Sequence, residues 1–258
     1  MANRNKNLLT ALALAVITSS VAVFGLRLAP EGSLLERVFI LLGGSLPGGT
    51  IQFLTYMAFY WCLLEIVSRQ RFLREEEAGY AVVKKFRNFP DPGNVHLVVP
   101  PESIRDLKIE VIDYQQRSGR EYLITDIIKK ACTKFRADQS ISDVLSIVAE
   151  QARINLSKAE SGQAMVRFLA WSLPSIGFIG TILGIAGALS IAGEAGSEEG
   201  LARITSALYL AFDTTLIALG LSIVVMWFYH RLQEQEEQFH TRMEEFVIEN
   251  LVNRIVLR

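Results

Sequence analysis

The chain has 258 residues, of which 50% are hydrophobic, and its formal net charge at neutral pH is −1. A mean hydropathy of +0.29 is high for a water-soluble domain. The two cysteines, Cys62 and Cys132, are too few for a disulfide framework or a cysteine-based metal cluster.

Four long apolar runs account for most of the hydrophobicity. They lie at Leu8–Leu26, Thr50–Val67, Phe168–Ala192 and Ile204–Phe228. Each has roughly the 17–25 residues that a helix needs to cross a ~30 Å hydrocarbon core. We therefore predict an all-α membrane protein with four transmembrane helices, the third and fourth of which are long and extend into a cytoplasmic helical domain.

The runs divide the chain into four parts, because the stretch between the second and third runs is highly charged. We predict spans one and two with a short periplasmic connection in residues 1–67, a cytoplasmic helical domain in 68–167, spans three and four in 168–229, and a cytoplasmic C-terminal helix in 230–258.

Lysine and arginine are distributed unevenly around the spans. Of the 26, 17 lie in residues 68–167 and 4 follow Phe228. Only Arg27, Arg37 and Arg203 fall on the opposite side, and basic residues near a membrane favour its cytoplasmic face. We therefore expect both termini and residues 68–167 to be cytoplasmic.

The first run has a second interpretation. Arg4 and Lys6 followed by Leu8–Leu26 is also the pattern of a cleaved signal peptide. The run is long for a signal peptide and lacks a clear A-x-A site, so we predict a retained span. Either interpretation gives the rest of the chain the same orientation.

Between the spans, the pattern predicts helices and no catalytic site. Leu34–Leu42 has the spacing of a short amphipathic helix at the outer surface. The insert shows a helix from Val67 to Phe89 and a break at FPDPG, and it lacks a phosphate loop, a nucleophile elbow and paired carboxylates. Three further amphipathic helices follow, at Pro101–Arg117, Tyr122–Phe135 and Ser140–Val166. We predict that the protein is not an enzyme.

Small residues form one face of each of the last two spans. In the third span, steps of three and four residues align Pro174, Gly177, Thr181, Gly184 and Ala188. In the fourth span they align Ala207, Ala211, Thr215, Ala218 and Ser222. Such faces let helices approach closely in lipid, as Gly180-x3-Gly184 suggests, or they form a hydroxyl-bearing wall for water or a cation.

Acidic residues suggest two further features. Asp213 is a carboxylate deep in the fourth span, where such a group indicates a functional site by default. It lies about 200° around an α-helix from Thr215, so the two cannot share a narrow face. An ion relay and a structural anchor both explain it. At the outer connection, Glu194, Glu198 and Glu199 would concentrate cations or form a solvated turn.

The last two spans resemble a known family. LPSIGFIGTILGI in the third span and AFDTTLIALGLSI in the fourth are similar to the signature spans of the MotA/TolQ/ExbB proton channel family. Thr181 matches the threonine of the family's third span, Thr215 matches that of the fourth, and Pro174 matches the proline of the flagellar stator branch.

This resemblance implies a motor subunit of a bacterial inner membrane. Family members form rings of five around two single-span partners of the MotB/ExbD type, and a partner aspartate accepts protons or sodium ions as the ring turns. From this resemblance together with the faces described above, we predict an ion path at Thr181, Asp213, Thr214, Thr215 and Ser222, of which Thr181 and Thr215 match the family. We predict that Pro174, Gly177, Gly180, Gly184, Ala211 and Ala218 shape that path.

Beyond the transported H⁺ or Na⁺ we expect no cofactor, and beyond protein partners we expect the lipid bilayer but no nucleic acid. Two alternatives stay open: a structural membrane scaffold whose small faces serve packing only, and a self-contained secondary transporter. Against a transporter, the sequence shows neither an internal repeat of spans nor a pair of Gly/Pro-interrupted helices.

Overall fold

The computed structural model describes residues 2–45, 49–94 and 98–256. It is 85% helical, and its described residues include no strand. The helices are α1 (Ala2–Leu28), α2 (Leu34–Leu41), α3 (Gly49–Val83), α4 (Pro101–Ser118), α5 (Leu123–Asp138), α6 (Ile141–Gly162), α7 (Ala164–Ser190) and α8 (Glu198–Asn250). A 3₁₀ turn at Ala192–Glu194 precedes α8.

Four helical segments are long and apolar enough to cross a membrane: Arg4–Leu28, Gly49–Val83, Ile141–Ser190 and Glu198–Arg254. The predicted all-helical membrane fold with four spans is confirmed at this level. The third segment joins α6 to α7, which are separated only by Gln163.

The chain forms two compact units. The first consists of Met1–Ser68 and Gln163–Arg231, and the second of Arg69–Gly162 and Leu232–Arg258. The first unit holds the apolar parts of all four candidate spans, and the second holds α4, α5, α6 and the end of α8.

In the first unit, α1 packs on α3 through small residues and a few polar pairs. Ala11 and Ala15 of α1 are fully buried. The hydroxyl groups of Thr18 and Tyr60 lie 2.8 Å apart. Buried alanines allow these helices to approach closely, which is how helices associate where no hydrophobic force joins them.

The short helix α2 forms where the sequence predicts it. Its N-terminus is capped by Ser33, whose hydroxyl accepts a hydrogen bond from the amide of Glu36 at 3.1 Å. The carboxylate of Glu36 accepts one in turn from the amide of Gly32 at 2.6 Å. This reciprocal pattern is close to a capping box and allows a helix of only eight residues to begin at a defined position.

The second unit has a core of amphipathic helices. Its central side chains are fully buried and come from three neighbouring helices: Leu107 and Val111 of α4, Ile127 and Ile128 of α5, and Val144 of α6. The spacing of these residues follows the helical period that the sequence shows.

Helix α3 ends at Val83, six residues before the predicted end at Phe89. The reason is a competing set of hydrogen bonds. The carboxylate of Glu110 on α4 accepts hydrogen bonds from the backbone amides of Arg87 at 2.8 Å and Asn88 at 3.1 Å. These contacts stabilise a turn, in which Phe89 is buried, instead of another turn of helix.

Arg254 fixes the C-terminal end of the second unit. Its guanidinium donates hydrogen bonds to the carbonyl oxygens of Asp91 at 2.8 Å and Asn94 at 2.9 Å. Next to it, Val99 and Ile255 form an isolated parallel bridge. Asp91, Asn94 and Val99 are thereby held against the tail of the chain.

Candidate functional site

Helices α7 and α8 are in close contact along their small-residue faces. A Cβ atom added at Gly184 would lie 2.6 Å from the Cβ of Ala211. One added at Gly177 would lie 2.5 Å from the Cβ of Ala218 and 3.2 Å from the Cα of Thr215. Real Cβ atoms do not come so close, so glycine is required at both positions. Within one chain, the two predicted faces serve close packing.

Two threonine hydroxyls meet inside this contact. The hydroxyl of Thr215 donates a hydrogen bond to the carbonyl oxygen of Gly177 at 2.9 Å. The hydroxyl of Thr181 lies 3.1 Å from the carbonyl oxygen of Ala211 and also contacts the hydroxyl of Thr215. Both threonines are half-buried. We refer to Thr181 and Thr215 together as the hydroxyl pair.

The hydroxyl pair has more than one hydrogen-bonding arrangement. Each hydroxyl has one proton to donate and two lone pairs. Thr181 can donate to the carbonyl of Ala211 or to the oxygen of Thr215, and both acceptors are within reach. The pair can therefore rearrange, and a lone pair can accept a hydrogen bond from water or coordinate a cation, without breaking the packing of α7 on α8.

The other predicted path residues are not members of the hydroxyl pair, although Thr214 shares the carbonyl of Ala211 with Thr181 as an acceptor. Thr214 is buried, donates to the carbonyl of Ala211 in its own helix at 2.9 Å, and packs on Gly180. Ser222 is also buried, about 10 Å further along α8 than Thr215. Of the five predicted residues, the structure brings together Thr181, Thr215 and, through the shared carbonyl of Ala211, Thr214.

Asp213 is paired with an arginine that the sequence did not single out. The guanidinium of Arg37 on α2 donates to both carboxylate oxygens of Asp213, at 2.7 and 2.6 Å. The side chain of Asp213 is 3% exposed and that of Arg37 is 48% exposed. The guanidinium also lies 5.0 Å from the ring centroid of Tyr209, one turn earlier on α8. This geometry favours the anchor over the relay.

The sequence contains one indication that Arg37 pairs with Asp213. Arg37 is one of three basic residues on the predicted outer side, and Asp213 is a single carboxylate within a span. A charge inside a membrane protein needs a partner of opposite charge. Arg37 and Asp213 are therefore candidates for an ion pair.

Pro174 lies in the interior of α7. Because proline has no amide hydrogen, the helix loses one backbone hydrogen bond there. The hydroxyls of two neighbouring serines bond back to carbonyls of the preceding turn, Ser172 to Phe168 at 2.8 Å and Ser175 to Trp171 at 3.2 Å. Polar groups are thus concentrated at this level of α7, one turn before Gly177.

The predicted outer acidic residues have a local explanation. Glu198 and Glu199 are in the first turn of α8, where a carboxylate interacts favourably with the positive end of the helix dipole. Both side chains are exposed. The side chain of Glu194 lies outside the described part of the structure.

A cavity of about 1230 Å³ opens between the outer parts of α2, α3, α7 and α8. Its walls include Arg37, Gly180, Glu198 and Thr214 together with large apolar side chains. Neither member of the hydroxyl pair lines it. Thr214 thus reaches this cavity, while its hydroxyl shares the carbonyl of Ala211 with that of Thr181.

The described residues do not form a metal site. No group of three or more His, Cys, Asp or Glu side chains in this part of the chain is arranged to hold a metal ion. The polar groups available for ion chemistry between α7 and α8 are hydroxyl and carbonyl oxygens.

The geometry thus defines an all-helical membrane protein in which two closely packed spans enclose a pair of hydroxyls. Residues 120–245, just under half of the chain, match the model of the MotA/TolQ/ExbB proton channel family. The matched region contains all of α7 and most of α8. The resemblance of these spans to that family is confirmed. No curated protein and no solved structure matches the chain.

Proposed function

We propose that this protein is a subunit of an inner-membrane motor or energy transducer driven by a proton or sodium gradient. One observation carries the proposal: Thr181 and Thr215 bring their hydroxyls together inside the region that matches a proton channel family. Packing alone needs small residues, and Ala211 and Ala218 already supply them. A hydroxyl on each helix at the same level adds a path for hydrogen-bond exchange.

The proposed assembly is a ring of five subunits around two single-span partner subunits of the MotB/ExbD type. The transported H⁺ or Na⁺ would pass the hydroxyl pair, and the ion-carrying carboxylate would belong to the partner. Large apolar side chains are exposed on α7 and α8, among them Phe178, Ile182, Phe212 and Leu216. In the assembly these side chains would contact lipid, neighbouring subunits or the partner.

The test replaces both hydroxyls by methyl groups. Thr181→Val with Thr215→Val keeps the side-chain shape while removing the hydrogen bonds. We expect gradient-driven ion flux to fall by more than about tenfold, since hydrogen bonds to an ion or hydrated proton each contribute about 1.5–3 kcal/mol. The measurement is dye-reported flux in membrane vesicles that contain this chain and a single-span protein encoded by a neighbouring reading frame.

Thr205→Val is the matched control. Its hydroxyl donates only to a carbonyl of its own helix, that of Leu201 at 2.9 Å, so flux should remain at the wild-type level. Native electrophoresis should show the same assembly for all variants. Normal flux in the double valine variant would reject the proposed path. Complete assembly and function without any single-span partner would support a scaffold or a transporter instead.

A further inference from the structure

Arg37 and Asp213 connect two parts of the first unit that are far apart in sequence. The two residues are separated by 176 positions, and both hydrogen bonds between them are short, at 2.6 and 2.7 Å. Bidentate pairs of this kind fix direction as well as distance, because the planar guanidinium matches the two carboxylate oxygens. The pair thus holds α8 in one orientation relative to α2.

Helix α2 is itself firmly attached to the first and second spans. The ring of Phe39 covers Gly25 of α1 so closely that a Cβ there would overlap it. Just past the same end of α2, the hydroxyl of Tyr56 on α3 donates to the carbonyl of Leu42 at 3.1 Å. With its capped N-terminus, α2 is a short, rigid element that presents Arg37 to α8.

Helix α8 is held from opposite sides at the same level. Ala211, which is fully buried, packs on Gly184 of α7. Asp213 is two positions later and therefore about 200° around the helix, where it meets Arg37. Tyr209 lies beneath the same guanidinium. A rotation of α8 that moved Thr215 away from α7 would also pull Asp213 out of its hydrogen bonds.

We propose that Arg37 is a positioning residue, which acts through Asp213 to keep Thr215 in contact with Gly177 and Thr181, and that Asp213 does not itself carry ions. The inference rests on the proposed function for the meaning of the hydroxyl pair. It adds a role for α2: this helix is an outer strut that links the first two spans to the two that match the channel family.

The chemistry of the pair supports a fixed strut. Both carboxylate oxygens are occupied, and breaking the pair would leave a charge in a site where Asp213 is 3% exposed. A group that must bind and release an ion in every cycle is poorly served by such a partner.

The experiment measures the pair without relying on ion flux. Full-length protein in lipid nanodiscs is compared by amide hydrogen exchange for wild type, Arg37→Gln, Asp213→Asn and the double variant. Arg37→Gln leaves the buried carboxylate of Asp213 without its partner, and Asp213→Asn removes the charged acceptor that Arg37 holds. In both variants we therefore expect exchange over residues 204–216 to accelerate by about tenfold or more. The double change leaves two neutral amides that can hydrogen-bond each other, and exchange should return to near the wild-type rate.

Arg27→Gln is the matched control, because Arg27 is exposed at the end of α1 on the same side of the protein. Its exchange over residues 204–216 should equal that of wild type. If the single variants accelerate exchange in α2 but leave residues 204–216 unchanged, the strut is rejected, because the pair would then hold α2 alone.

Ion flux in the same variants tests the second part of the proposal, which is that Asp213 does not itself carry ions. The double variant should conduct more ions than Arg37→Gln does. Its two amides restore the position of α8, although the carboxylate of Asp213 is absent. The contrary result is a double variant in which α8 is protected from exchange but no ions flow, while wild type conducts normally. It would show that Asp213 carries ions and would overturn this part of the proposal. If wild type itself conducts nothing, the proposed function fails, while the exchange data still decide whether Arg37 positions α8.

Discussion

Gly184 and Ala211 set the distance between α7 and α8 at the level of the hydroxyl pair. At Gly184 the space that a side chain would need is taken by Ala211, whose Cα would lie 2.9 Å from an added Cβ. The hydroxyls of Thr181 and Thr215 reach the opposite helix only because the backbones are this close. Packing and hydroxyl chemistry therefore depend on the same residues.

This dependence gives a prediction for Gly184→Ala. Forcing a methyl group into a filled contact costs typically about 1–3 kcal/mol, and we expect a lower unfolding temperature in detergent together with reduced flux. Gly187→Ala is the control on the same helix, since no heavy atom lies within 4 Å of a Cβ there. Equal stability losses in the two variants would show that the Gly184 contact does not set the spacing.

At this scale the sequence reveals the types of residue but not their partners. The small faces and the two threonines follow from helical spacing, which is local. The pairing of Asp213 with Arg37 depends on where α2 lies after folding, and no local pattern encodes it. Similarly, Thr214 and Thr215 are adjacent in sequence, yet they face different surroundings because consecutive helical residues point about 100° apart.

Among the elements, α8 changes character along its length. Up to Arg231 it belongs to the first unit, and beyond Leu232 to the second. In the second part the buried face carries Phe239, Met243 and Val247, but also the imidazole of His240. The Nδ1 atom of His240 is buried without a hydrogen-bond partner among the described residues.

Burial lowers the pKa of His240 below its usual value of 6.5. The unfolded chain then binds a proton more readily than the folded protein does. The stabilising effect of the neutral imidazole is complete above about pH 6.5 and is lost as the pH falls from there through the lowered pKa, by at most about 1.4 kcal/mol per pH unit.

We therefore predict that amide exchange over residues 236–247, corrected for intrinsic rates, accelerates between pH 7.5 and 5.5. His240→Gln should flatten this dependence, because it removes the titrating group. His230→Gln, at an exposed position on the same helix, should leave it unchanged. An identical pH dependence in wild type and His240→Gln would contradict the prediction.

The elements themselves were largely predictable, and their ends less so. The four spans follow from hydropathy, and α4, α5 and α6 follow from their apolar spacing. The end of α3 at Val83 depends instead on Glu110, a residue of another helix that binds the amides of Arg87 and Asn88. The break between α6 and α7 coincides with Gly162, where the guanidinium of Arg69 occupies the place of a side chain.

For the whole molecule, the charge distribution predicts that both termini and residues 68–167 are cytoplasmic. Cysteine labelling can test this directly, because Cys62 and Cys132 are both buried and should react slowly. Gly196→Cys, in the connection before α8, should react with a membrane-impermeant maleimide in intact cells whose outer membrane has been permeabilised. Lys158→Cys, exposed on α6, should react only after the inner membrane is opened.

Reaction of both positions from the same side would refute the four-span topology. Reaction of Lys158→Cys alone in cells with an intact inner membrane would show that the orientation is the opposite of the predicted one. Since the label reports position and not activity, the result does not depend on the driven process or on the identity of a partner.

The close fit of Gly184 against Ala211 has a mechanical consequence. Two helices that touch backbone to backbone, with no long side chains between them, have little freedom to slide or tilt against each other. In the proposed ring, the α7–α8 pair of each subunit would move as one rigid body. Any movement during ion passage would then take place between neighbouring subunits and around the central partner, while the α7–α8 contact within each subunit kept its geometry.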